Sequence, residues 1–121
     1  MNVEDNKMDT AIQDKSFQFA IRIVNLCKYL QQEQKEFILS KQLVRSGTSI
    51  GANVAEAQQA QSKPDFIHKM NIALKEVCET DYWLRLLYST NYLTENEYES
   101  IISDCTEIGK LLTAIVKSAK N

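Results

Sequence analysis

The sequence predicts an all-α protein, an up-down-up-down antiparallel four-helix bundle. Only 3 glycines and 1 proline occur among the 121 residues, so few positions interrupt a helix. Apolar residues recur three and four positions apart in three long segments, which is the spacing of a bundle seam, and crowd a fourth segment on most sides, and nothing alternates as a strand does. Short links join these segments and favour antiparallel neighbours. The expected helices span about 14–32, 40–61, 63–91 and 95–119.

The first helix is predicted to begin at Asp14, a suitable N-cap residue. Residues 1–13 are then expected to form a disordered or loosely ordered tail, and residues 14–121 a single bundle domain. Apolar residues cover most of the circumference of this helix, whereas a surface helix of a monomer normally buries one stripe. We therefore expect the first helix to contact a second subunit as well as the core.

The second helix is predicted to begin at Ser40 as its N-cap. Its apolar seam includes Ile50. Two glycines, Gly47 and Gly51, lie four residues apart within this helix. Each glycine inside a helix costs roughly 1 kcal/mol relative to alanine. The close approach of another backbone would offset this cost, so tight packing is expected at both glycines.

The third and fourth helices both carry N-terminal signals. Ser62 and Asp65 have the spacing of a capping box, and so do Thr94 and Glu97. The 3-4 spacing that follows each signal predicts buried seams, and their expected core residues include Val77, Leu84 and Ile108.

Charge is unevenly distributed along the chain, although the net charge is only -2. Residues 15–75 carry a net charge of +5 and residues 76–107 a net charge of -7. One interpretation is a solvated surface without further meaning. The other is a pair of complementary faces that guide self-association or a partner.

The three cysteines, Cys27, Cys78 and Cys105, lie among apolar residues of different predicted helices and lack metal-binding spacing. We expect reduced core thiols in a cytoplasmic protein. No apolar run approaches the length that spans a membrane, and the acidic N-terminal residues do not resemble a signal peptide.

Catalytic chemistry has few candidates in this sequence. The one histidine, His68, is expected to be exposed beside Lys69, and no arrangement with a nucleophile is evident. The glycines form no phosphate-binding loop. Without a Glu-x-x-His pair, a standard di-iron site of bundle proteins is excluded, although a weaker carboxylate site stays open. We predict no catalytic residue, no cofactor and no metal ligand.

Polar residues on two helices could form an interaction or assembly face. On each of the two helices, the spacing of the candidate residues places them on one side of the helix. They could be a binding patch, or a salt-bridge network that joins helices or subunits, and we favour the network. The candidates are Arg45, Ser49, Asn53 and Glu56 on the second helix, and Glu76, Glu79 and Trp83 on the third.

The pattern LS-x-QL-x-RS-xx-SI-x-AN-xx-EA, which runs from Leu39 to Ala57, resembles the second helix of the 23S ribosomal RNA intervening-sequence proteins. This family is also called the four helix bundle protein family. The third-helix run SKPDFIHKMNIALKEVCETDYWLRLL resembles it as well, and the match covers roughly Phe17 to Ile115. The recurrent polar positions of the family map onto Arg45, Ser49, Asn53, Glu56, Glu76 and Glu79.

The resemblance implies a bacterial cytoplasmic protein that assembles into a ring-like homopentamer and has no known enzyme activity. A related group, the accessory variability determinants of diversity-generating retroelements, is thought to bind nucleic acid and a reverse transcriptase. Those relatives are strongly basic, whereas this chain has a pI of about 5.4.

The sequence is therefore compatible with two functions. The first is a non-enzymatic oligomeric scaffold or adaptor with an unidentified partner. The alternative is an RNA- or DNA-binding accessory protein that presents the basic segment 15–75 in repeated copies, because repetition strengthens a modest patch. A small enzyme or metal protein is disfavoured by the residue inventory.

Overall fold

The computed structural model describes residues 3–121, with side chains from residue 5 onward. In this part of the chain there are four α-helices and no strand: α1 (Val3–Gln32), α2 (Leu39–Ala57), α3 (Lys63–Ser89) and α4 (Glu95–Lys120). Consecutive helices pack against each other, α4 returns to α1, and the described helices make no diagonal contacts. The predicted antiparallel four-helix bundle is confirmed.

The predicted tail is wrong for residues 3–13, which belong to α1. Ile12 is fully buried and Met8 packs against the core, so the apolar spacing of α1 extends through these residues. Asp14 is exposed in the middle of the helix and is not its N-cap. Residues 1 and 2 lie outside the described residues.

The N-terminus of α2 is capped by Glu36 rather than by the predicted Ser40. The Glu36 carboxylate accepts hydrogen bonds from the backbone N–H groups of Ile38, Leu39 and Ser40, at 3.1, 2.9 and 2.7 Å. The Ser40 hydroxyl instead donates to the Glu36 carbonyl oxygen at 2.9 Å. The carboxylate thereby satisfies N–H groups that a helix start leaves without partners.

Burial and hydrogen bonding act in opposite directions on the pKa of Glu36, a residue that is 7% exposed. Burial alone would raise the pKa of this carboxyl, but the backbone N–H groups bind its charged form and lower the pKa overall. The folded protein therefore favours ionised Glu36.

Two helices end earlier than predicted. After Ala57, backbone bonds of the i to i-3 type replace the α-helical pattern through Ala60, so α2 does not reach residue 61. Asn91 adopts a φ of 71°, in the left-handed region that terminates helices, and α3 ends at Ser89.

The predicted capping signals are confirmed in full at α4 and in part at α3. Thr94 and Glu97 exchange both hydrogen bonds of a capping box. The Ser62 hydroxyl accepts from the Asp65 N–H at 3.2 Å, but the Asp65 carboxylate accepts from Gln61 instead of closing the box on Ser62.

The predicted core is confirmed at Ile50, Val77, Leu84 and Ile108, which are all buried. Cys27 and Cys105 are buried too, and burial raises the pKa of each thiol to about 12. Cys78 is exposed, which corrects its assignment to the core. Its position off the 3-4 seam of α3 explains the difference.

The helices α1 and α2 approach each other closely at the two glycines. A Cβ atom on Gly51 would lie 3.2 Å from the backbone oxygen of Ser16, and one on Gly47 would lie 2.8 Å from the Cγ2 atom of Ile23. The tight packing expected at both positions is confirmed.

Over the described residues, none of the helices combines the length and apolarity needed to cross a bilayer.

Glu36→Gln should destabilise the protein by about 1–2 kcal/mol at pH 7, the scale of a lost helix cap. Because the folded pKa of Glu36 is lowered, its contribution is fully present above the unfolded pKa. The difference from wild type should shrink as pH falls through the lower folded value. Urea melts between pH 7 and pH 3 measure this, with the exposed Glu33→Gln as control. A difference that grows on acidification would contradict the capping role.

Candidate functional site

Four of the predicted polar residues meet across the seam between α2 and α3. The Arg45 guanidinium forms an ion pair with Glu79 and lies 3.5 Å from the Glu76 carboxylate. The indole N–H of Trp83 donates to the same Glu79 carboxylate at 3.0 Å. These four residues form one network, which we call the Arg45 network.

The other predicted residues do not join the Arg45 network through their side chains. The Ser49 hydroxyl donates to the Arg45 carbonyl oxygen at 2.5 Å, and the Asn53 amide donates to the Ser49 carbonyl oxygen at 2.8 Å. Glu56 instead pairs with Lys69 at 3.5 Å. The seven candidates therefore line one seam without converging on one pocket.

The Arg45 network is suited to joining helices. Arg45 faces two carboxylates, and the Trp83 N–H is used by one of them, so the charges are largely balanced within the chain. Deeper in the same seam, the buried Thr80 hydroxyl donates to the Ser46 hydroxyl at 3.0 Å. Partly exposed ion pairs contribute little individually, about 0–1 kcal/mol.

A metal centre or acid–base site has no assembled ligands in the described part of the chain. No group of three or more histidine, cysteine, aspartate or glutamate side chains is placed to hold a metal ion there. His68 is exposed on α3, as predicted. The carboxylates of Glu76 and Glu79 already face Arg45.

The most unusual surface lies on α1 and α2. Phe17 is 64% exposed and Ile21 is 42% exposed, although both lie well inside a helix. Beside Phe17, a groove of about 480 Å³ runs between the two helices, over small side chains. We call this surface the α1–α2 face, formed by Phe17, Ala20, Ile21, Thr48, Ala52 and Ala55.

Some of the basic residues of segment 15–75 form ion pairs with acidic residues of segment 76–107, between α1 and α4. Lys15 pairs with Glu107 at 2.7 Å, and Arg22 pairs with Asp104 at 2.6 Å and hydrogen-bonds Ser100. These contacts join the basic and acidic segments within the chain. The sequence showed the segregation but not which charges the fold itself uses.

Sequence reasoning also missed three exposed apolar side chains. Phe37 and Ile38, in the link before α2, are 50% and 77% exposed, and Tyr82 on α3 is 50% exposed. Tyr82 could have been recognised, because it lies off the Val77–Thr80–Leu84 seam. No comparable pattern marks a residue in a short link.

The Arg45 network should couple two helices without controlling assembly. Arg45→Ala and Glu79→Ala should each cost about 1 kcal/mol or less, and a double-mutant cycle should give a coupling of about 0.5–1 kcal/mol. The emission of Trp83, the single tryptophan, should change in Glu79→Ala because its indole loses its acceptor. Glu56→Ala is the matched control. Loss of self-association at unchanged stability would show that the network faces another molecule.

Comparisons with known proteins place the chain in a family. The family model of the 23S rRNA-intervening sequence proteins matches residues 8–114. A crystal structure of a protein of unknown function from the S23 ribosomal protein family of Bacteroides thetaiotaomicron VPI-5482 is 63% identical. The match covers 91% of this chain and 98% of that one, with a TM-score of 0.90. No curated protein matches. The chain belongs to the 23S rRNA-intervening sequence protein family.

Proposed function

We propose that this protein is a non-enzymatic cytoplasmic scaffold or adaptor that works as a homo-oligomer. The number of subunits implied by the family resemblance is five. The observation that carries the proposal is the α1–α2 face, which leaves Phe17 and Ile21 exposed on the body of a helix. Exposed apolar patches of this kind typically mark interaction sites.

The energetics of the face favour an interface over chance exposure. Fully burying a phenylalanine or isoleucine side chain is worth about 1.5–3 kcal/mol relative to leaving it exposed. Phe17 and Ile21 lie one helical turn apart, so one partner surface can cover both. The small side chains of the adjacent groove allow such a partner to approach closely.

The polar residues also fit a scaffold better than an enzyme. Arg45, Glu76, Glu79 and Trp83 bind one another, and the other candidates bind their own helix or Lys69. An enzyme needs proton donors, acceptors or nucleophiles directed at a shared cavity. In this seam the polar groups are directed at each other.

Phe17→Glu should dissociate the assembly, because a buried unpaired carboxylate is costly. Light scattering at low micromolar concentration should give wild type a mass several times the 13.9 kDa of the monomer, near fivefold for the expected pentamer. The variant should approach 13.9 kDa with an unchanged circular dichroism spectrum.

Phe37→Glu is the matched control, since Phe37 is a phenylalanine outside the face that is 50% exposed, against 64% for Phe17. It should leave the assembly intact. A wild-type protein that is monomeric in this measurement would refute self-association.

The alternative, RNA or DNA binding, is favoured by one group of lysines. Among the described residues, Lys28, Lys35 and Lys41 have no carboxylate within ion-pairing distance, and all lie near the link between α1 and α2. A ring would repeat this patch and raise its avidity.

A titration with structured RNA separates the two proposals. Nucleic-acid binding through lysine–phosphate contacts should weaken steeply between about 50 and 200 mM salt. The variant Lys28→Glu with Lys41→Glu should abolish it, whereas Lys117→Glu, on α4, should not. The scaffold proposal expects no RNA binding at physiological salt. If the wild-type protein binds RNA at that salt concentration, and its affinity falls steeply as salt rises, the alternative is favoured.

A further inference from the structure

We propose that the link between α1 and α2, residues 33–38, binds the surface of an anionic lipid bilayer. Phe37 and Ile38 enter the interface, and Lys28, Lys35 and Lys41 face the lipid head groups. The contact is peripheral, so it needs no helix that crosses the bilayer. It goes beyond the proposed scaffold function and does not depend on self-association, because one copy of the chain carries the whole link.

The turn of the link leaves Phe37 and Ile38 exposed. Lys35 has a φ of 55°, and the next residue, Glu36, is 7% exposed and accepts hydrogen bonds from the start of α2. With the Glu36 side chain turned inward, the two residues that follow it are 50% and 77% exposed. The hydrogen bonds to Glu36 therefore fix the backbone that presents both apolar side chains.

Ile38 is poorly suited to its position in the fold. It directly precedes α2, where serine, threonine, aspartate or asparagine is preferred and isoleucine is disfavoured, and its side chain makes no capping hydrogen bond. At 77% exposure it also gains little from packing. A residue that breaks a local rule without compensation inside the fold points to a contact with another molecule.

The charged residues around the link favour a negatively charged surface. Of those that are exposed between residues 28 and 41, three are lysines and one, Glu33, is acidic. In the part of the chain that the structure describes, none of the three lysines has a carboxylate within ion-pairing distance. Lysines beside an anionic bilayer strengthen binding, and their long side chains reach the head groups while apolar neighbours lie deeper.

The acidic residues at the same end of the bundle lie away from the start of α2. Glu95, Glu97 and Glu99 lie in the first turns of α4, and among the described residues α4 makes no contact with α2. Ile38 and Lys41, at the start of α2, are therefore diagonally across the bundle from these carboxylates. A bilayer that meets this corner keeps its head groups closer to the lysines than to the glutamates of α4.

The two apolar side chains favour a bilayer over a nucleic acid. Single-stranded nucleic acids bind through aromatic rings on which the bases stack. Only Phe37 of the pair is aromatic, and the more exposed of the two is Ile38, whose aliphatic side chain offers no ring. The hydrophobic effect that drives insertion into hydrocarbon is non-directional, so a bilayer accepts both residues.

Co-sedimentation with vesicles tests the proposal. Wild-type protein should bind phosphatidylcholine vesicles that contain phosphatidylserine, bind pure phosphatidylcholine vesicles more weakly, and lose affinity for the anionic vesicles as salt rises. Ile38→Ser should weaken binding about tenfold or more, the scale of burying an isoleucine side chain. It should not lower the urea midpoint, because serine is preferred before a helix. The matched control is Tyr82→Ser, which changes an aromatic residue on α3 that is 50% exposed and should bind vesicles as wild type does.

Lysine variants test the charge of the surface. Lys35→Gln and Lys41→Gln should each weaken binding to the anionic vesicles about fivefold. Lys117→Gln, near the opposite end of the bundle, should leave it unchanged.

Wild-type protein that does not sediment with anionic vesicles would overturn the proposal, and so would binding that Ile38→Ser leaves unchanged. Structured RNA is the third probe. If RNA is bound, Ile38→Ser weakens that binding and anionic vesicles are not bound, the link contacts nucleic acid and the bilayer proposal is wrong. Light scattering of the wild-type protein measures self-association separately, so either proposal can fail without the other.

Discussion

The close packing of α1 on α2 is the constraint on which the rest of the molecule depends. Gly47 and Gly51 bring α2 against Ile23 and the backbone of Ser16, with no room for a further carbon atom at Gly47. At this separation the side chains at the outer edge of the seam must be small, as Ala20, Thr48 and Ala55 are. Larger side chains of α1 such as Phe17 are left outside the contact. The glycines thus shape the core and the exposed face together.

The helices were predictable because each seam is a long repeat of local spacing. Three segments with 3-4 spacing and one that is apolar over most of its circumference can bury their apolar residues only against one another, which determines the bundle. The start of α1 was misplaced because Asp14 is a capping residue by type, while the apolar residues that extend the helix, Met8 and Ile12, are sparse among polar ones. The tertiary contact of Ile12 outweighs that local signal.

The sequence predicted which residues belong to the candidate site, but not which of their side chains contact one another. Spacing placed Arg45 on one helical face and Glu76, Glu79 and Trp83 on another. Which of these side chains would meet depends on the relative height of α2 and α3, and no spacing within one helix contains that information. The same limit applies to Glu36, whose capping contacts require the chain to turn back after α1, with Lys35 at a φ of 55°. Its role depends on the shape of a link, and links carry no periodic signal.

The charge of the chain bears on the choice between the two functional proposals. The net charge of -2 does not decide between them, because Lys15, Arg22, Arg45 and Lys69 are balanced inside the chain and their partners lower the local field. What remains for an external partner near one end of the bundle is Lys28, Lys35 and Lys41. If a subunit contact covers part of that patch, assembly opposes phosphate binding there, whereas a contact that leaves the patch open repeats it around the ring and raises its avidity. Assembly and nucleic-acid binding at this end of the bundle would then be linked, and the sign of the coupling depends on whether the lysines lie inside or outside the subunit contact.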